Sequence, residues 1–120
     1  EKIAELAAAV AGALGRGSDY NFYKPDAFII CSVPRDYRLG REDCACALQN
    51  IFLAAHSLGI GSVWINQVSA TCDNEKVRAV LDKFGVPNDH VVWGCAALGY
   101  PEGPSGWETE KKLSAIHFVD

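Results

Sequence analysis

Apolar positions along residues 2–14 fall at Ile3, Leu6, Ala7, Val10 and Leu14, one stripe of a helix. Gly12, Gly15 and Gly17 punctuate its end, and residues 18–23 read as loop. Residues 27–33, Ala-Phe-Ile-Ile-Cys-Ser-Val, are a continuous β-branched and aromatic run, short enough for a buried strand. A charged connection over 34–42 leads into residues 43–59, apolar on nearly every face, with Leu48, Ile51, Phe52, Ala55 and Leu58 at helical spacing. A helix hydrophobic all round is a buried one. Asp43 suits its N-cap, where a carboxylate accepts from the free amides of the first turn. Gly59 suits the left-handed position just past its end. Alanines and cysteines at 44–47 and 54–55 leave room for a second helix, as at a subunit contact. A short buried strand is predicted over 62–66. Residues 71–75 then offer helix-start chemistry, and Val77, Val80, Leu81 and Phe84 give a helix over 75–84 that Gly85-Val-Pro87 stops. Residues 90–100 read as a long strand with small residues where something packs closely. The tail over 101–120 is rich in Gly and Pro first, then apolar again at Ile116, Phe118 and Val119.

This pattern within 120 residues makes one domain with a single core. No apolar run reaches the roughly 20 residues that span a bilayer, so a membrane partner is not expected. The formal charge of −4 argues against a nucleic-acid partner, which needs a basic face. The five cysteines sit mostly in apolar runs, at Cys31, Cys44, Cys46 and Cys95, which suits reduced, buried thiols in a cytoplasm. Cys72 reads as the most exposed of them. The chain has no methionine and opens on Glu1 inside a helical pattern, so it reads as trimmed at its N-terminus.

Strands and helices alternate, which by itself suggests a parallel α/β sheet. One set of residues points elsewhere. Asp43, Ala47, Gln49, Asn50, Leu53, Ala54, Ala55, Leu58, Gly59, Ile60, Gly61 and Ser62 match a helix-to-strand motif, D-x-x-x-A-x-Q-N-x-x-L-A-A-x-x-L-G-[IL]-G-[ST]. Pro25-Asp-Ala-Phe-Ile-Ile-Cys-Ser-Val33 before it and Leu98-Gly-Tyr-Pro101 after it agree with the same motif order. Over most of residues 20–120 the chain resembles the nitroreductase family of flavin-dependent oxidoreductases. The resemblance implies an α+β fold, a mixed and mostly antiparallel sheet flanked by helices, with residues 1–120 forming the C-terminal two-thirds of the family domain. It implies FMN as cofactor, NAD(P)H as reductant, and nitro-aromatics, quinones or related small molecules as electron acceptors. It also implies a homodimer that shares the central helix, with a tail strand over 116–119 added to the partner's sheet.

The same resemblance designates the site. The backbone of Val63, Trp64, Ile65 and Asn66 runs along the flavin, the Asn66 amide facing the reactive ring nitrogen. A fixed backbone dipole suits that place, because the reduced ring accumulates negative charge. Asn66-Gln67 departs from the small or acidic residue common there, which affects side-chain tuning more than main-chain binding. Lys112 stands where the family has an arginine on the flavin phosphate, with Lys111 beside it and Glu110 in place of a second cation. The family's upstream Arg-x-Ser-x-Arg phosphate grip is not in this sequence, and Arg16-Gly-Ser18 differs from it in spacing and place. That gap motivates the alternative of a non-catalytic flavin-binding or structural member of the same fold.

Other residues take plainer readings. Cys44 and Cys46, two apart on a helix, face different ways and make no metal or redox pair. His56 reads as a hydrogen-bonded core or interface histidine, and His90 and His117 lack metal-ligand spacing. Gly59-Ile-Gly61 follows a helix where a dinucleotide fingerprint would open one. Arg35, Arg38 and Arg41 alternate with Asp36, Glu42 and Asp43 and read as a self-paired, solvated loop. No side chain is expected to act as a catalytic acid or base, since the flavin carries the electron chemistry.

Overall fold

The computed structural model describes residues 1–103, 115 and 117–119. Its elements are α1 (Lys2–Leu14), β1 (Ala27–Pro34), α2 (Gly40–Ser57), β2 (Gly61–Ile65), α3 (Gln67–Thr71), α4 (Glu75–Lys83) and β3 (His90–Gly99). The strands form one sheet in the order β1-β3-β2, every pairing antiparallel. The expected α+β class holds, and the parallel sheet that simple alternation suggested does not form.

Helix α1 is rich in alanine, the best helix former, and closes on Gly15 at φ 64°, where the cap amide returns to Ala11 and Gly12. Its buried stripe of Leu6, Ala7 and Val10 meets Val77, Val80 and Leu81 of α4, Val68 of α3, and Ile65, Val92 and Cys95 of the sheet. Fully burying each large aliphatic side chain contributes about 1.5–3 kcal/mol, so this cluster is the main source of stability. Phe22 joins it, stacked on Phe28 at 4.7 Å between ring centroids. The Phe22–Tyr23–Lys24 turn that delivers it holds three consecutive side-chain-bearing residues at positive φ.

Asn74 caps α4 by accepting from the amides of Lys76 at 3.1 Å and Val77 at 3.5 Å. Replacing Asn74 with alanine is expected to cost about 1 kcal/mol, read as a lower urea midpoint at unchanged m-value.

Three expectations about α2 need correction. The helix begins at Gly40 with Leu39 as its N-cap, so Asp43 lies inside the first turn and instead accepts a 2.8 Å hydrogen bond from Tyr37 Oη. A side chain on Gly40 would collide with Val33, so the helix starts as close to β1 as a glycine allows. Only Gly40, Cys44, Leu48 and Ala55 are buried, a single stripe on the sheet, while Ala47, Leu53, Ala54 and Leu58 face outward from this chain. The predicted all-round burial therefore fails within one chain. His56 is likewise exposed within one chain, so its reading as a core histidine fails, and only the interface reading stands. Gly59 does adopt the left-handed conformation, at φ 72°.

The cysteine assignments also change. Cys72 is buried, because the short helix α3 tucks it under the core, and Cys46 is the exposed thiol. All five are free, and burial pushes the Cys95 thiol well above the ordinary range. Arg35 does not pair within its own loop. It reaches across to Asp73 at 2.6 Å, holding that carboxyl below its usual range, with Arg78 at 3.6 Å from the same oxygen. Among the described residues no helix is long and apolar enough to cross a membrane.

Candidate flavin-type site at the end of strand β2

Strand β2 pairs with β3 on one side only, from Gly61 opposite Gly99 to Ile65 opposite Cys95. Its other edge is free among the described elements. The strand was expected to be buried, but four of its five residues are exposed, because β2 is an edge strand. Ile65 alone turns into the core. Val63 is 41% exposed and Trp64 36% exposed, and Asn66 follows them as the exposed N-cap residue of α3. Of the residues singled out in the sequence, Val63, Trp64, Ile65 and Asn66 thus form one continuous segment. Ile65 can offer only its main chain. Lys111, Lys112 and Ile116 lie outside the described residues. Residues 117–119 belong to no strand, and Phe118 and Val119 are exposed.

The end of β2 is held rigidly. Trp64 Nε1 donates to Asn66 Oδ1 at 2.5 Å, tying the indole to the side chain two residues on. The Trp64 ring lies over Gly94 of β3, where an added Cβ would meet Trp64 Cζ2 at 2.6 Å and Leu48 Cδ1 at 2.8 Å. Phe52 of α2 flanks the same ring at 6.2 Å between centroids. Gly94 therefore makes room for a tryptophan that α2 and β3 clamp from two sides. One residue on, the Gln67 side-chain oxygen is buried and has no hydrogen-bond partner among the described residues. A buried acceptor left unpaired is uncommon and calls for a donor.

Beside this segment lies a cavity of about 300 Å³ lined by Arg41, Ala45, Trp64, Asn66, Ser69 and Trp93. The sequence reading missed Arg41, Ser69 and Trp93. Trp93 arrives there through an irregularity in β3: Cys31 pairs with Gly94 and Ser32 with Val92, leaving Trp93 as the extra residue of a β-bulge. Bulges re-aim a side chain and cluster beside functional sites. The Arg41 guanidinium sits 5.6 Å from the Trp93 ring centre, a cation–π contact of about 0.5–1 kcal/mol at an exposed site. A signal in the sequence was available, the aromatic Trp93 directly before Gly94, but nothing local linked it to the arginine of another element.

The profile of the nitroreductase family matches residues 3–100. The chain belongs to the nitroreductase family. Solved structures agree on the fold. A nitroreductase from Bacteroides fragilis, crystallised with bound FMN, superposes with a TM-score of 0.89 at 40% identity, covering 99% of this chain and 71% of its own. A nitroreductase with bound FMN from Desulfitobacterium hafniense gives a TM-score of 0.74 at 21% identity over 97% of this chain and 70% of its own, a likeness of fold. A curated relative from Archaeoglobus fulgidus, named "Putative NADH dehydrogenase/NAD(P)H nitroreductase", is 36% identical over 80 residues, 63% of this chain and 44% of its own length. The chain thus spans less than half the length of that relative.

Proposed function

We propose that this chain is the nitroreductase-like domain, residues 1–120, of an FMN-dependent oxidoreductase that uses NAD(P)H to reduce nitro-aromatics, quinones or related small molecules. The observation that carries the proposal is the β2–α3 junction, an exposed edge strand ending in a clamped tryptophan, in a chain whose family includes members crystallised with FMN. The residues present fit a flavin. The exposed strand β2, unpaired along one edge among the described elements, leaves main-chain amides and carbonyls free for the polar edge of the flavin ring.

In this reading Val63, Trp64, Ile65 and Asn66 would hold the ring through their main chain, and Lys111 and Lys112 would serve the phosphate as point charges. FMN, when bound, supplies the acceptor and donor of the hydride. The chain's part is electrostatic and positional. The Asn66 amide offers a dipole to negative charge, and the Trp64–Asn66 hydrogen bond keeps that segment from reorganising. The outward face of α2, with Ala47, Leu53 and Leu58 exposed, supports a homodimer built on that helix. The free cysteines suit a reducing cytoplasm.

The test is optical. Protein soaked with FMN and freed of excess should be yellow and should bleach anaerobically on adding NADH or NADPH. A quinone or nitro-aromatic should then restore the colour. A protein that takes up no flavin overturns the proposal.

A further inference from the structure

The Arg41–Trp93 cavity adjoins the segment proposed to carry the flavin and shares Trp64 and Asn66 with it. Its lining combines two indoles, Trp64 and Trp93, with two small polar groups, Asn66 and Ser69, and a single cationic side chain, Arg41. Arg41 makes no ion pair among the described residues, although carboxylates surround it in sequence. Of the carboxylates close to it in sequence, Asp43 accepts from Tyr37 at 2.8 Å, while Arg35 pairs with Asp73. The guanidinium instead lies over Trp93, which a β-bulge has turned out of the regular pleat. An arginine held on an aromatic face keeps its planar fork of donors available for a carboxylate-type oxygen pair.

We infer that this cavity is a subsite for planar aromatic anions, with Arg41 as the specificity-determining residue that recognises the anionic substituent. The indoles supply apolar faces for a single ring, and Arg41 supplies the matching charge. At about 300 Å³ the space lies at the lower end for ligand pockets, enough for one substituted ring and too small for a whole dinucleotide. Its role as an acceptor subsite rests on the proposed flavin chemistry, because Trp64 and Asn66 belong to both places. The recognition itself does not depend on flavin.

The experiment therefore reads binding directly. In a Trp107→Phe background, only Trp64 and Trp93 remain to emit. Quenching of that emission is titrated with para-nitrobenzoate and with its neutral counterpart para-nitrobenzamide, on protein with and without added FMN. The wild-type pocket should prefer the anion, and Arg41→Gln should lose about tenfold or more of the anion's affinity while leaving the amide's unchanged. Arg41→Lys, which keeps the charge and loses the flat fork, should retain part of the preference. Circular dichroism confirms that each variant is folded. Equal affinity for the two ligands in wild type, or a preference that survives Arg41→Gln, overturns the inference. Flavin uptake, scored in the same samples by its own absorbance, tests the flavin proposal separately.

Discussion

Replacing Gly94 with valine is expected to destabilise the domain by about 1–3 kcal/mol and to abolish flavin uptake together. The added Cβ alone would stand 2.6 Å from Trp64 Cζ2, part of a rigid ring, and 2.8 Å from Leu48 Cδ1, a terminal methyl that is fully buried and has little room to move. Valine favours strands over glycine, but that preference spans at most about 1 kcal/mol, so the clash decides the sign. The displaced Trp64 would break its hydrogen bond to Asn66 and shift the segment proposed to carry the ring. Urea denaturation at unchanged m-value measures the first effect, and FMN titration the second. Combining Gly94→Val with Trp64→Ala should recover part of the stability, because the space is vacated, while flavin uptake stays lost. A Gly94→Val protein as stable as wild type would show that α2 can move away from the sheet at little cost.

The second large effect concerns assembly. Ala47 lies on the exposed side of α2, away from the Cys44–Leu48–Ala55 stripe that packs on the sheet. If two copies meet along that side about a two-fold axis that passes near residue 47, this residue of one protomer faces its counterpart in the other. Ala47→Glu then sets like charges against each other, a cost of several kcal/mol in an interface, and should yield monomers by light scattering. Flavin uptake should fall in parallel if the cofactor lies between subunits. Because position 47 faces solvent within the chain, the monomer itself should stay folded. A dimer that survives the change intact places the contact on another surface.

Much of the architecture could be read from local chemistry. Helix α1 follows from its stripe and from Gly15, α4 from Asn74 and its apolar spacing, and the α2–β2 corner from Gly59 at positive φ. The readings that the structure overturns have distinct physical causes. The apolar outer face of α2 reads as core in the sequence because hydrophobicity tells how much surface is to be covered, not whether the same chain covers it. Cys72 reads as exposed in the sequence because α3 spans five residues, too short for a periodic signal. Arg35 was assigned to its own loop because the partner that holds it, Asp73, is distant in sequence and near only in the fold. The candidate site divides in the same way. Residues 63–66 enter the candidate site through resemblance to a family motif. The pairing of Arg41 with Trp93 depends on a bulge between β1 and β3, and a bulge is a property of two strands in register, invisible in either one.

The strand order has a consequence for synthesis on the ribosome. β1 and β2 never pair with each other, and both depend on β3, which lies between them and is the last made of the three described strands. A nascent chain that has reached α4 holds its helices and two apolar strands, and has no ladder to close. The sheet forms in one late step, once residues 90–99 have left the exit tunnel, and every strand contact in it spans a long stretch of sequence. Such a topology folds slowly for its size and leaves strand edges open to other chains in the interval. This domain should therefore depend on chaperones during translation more than a helical bundle of equal length.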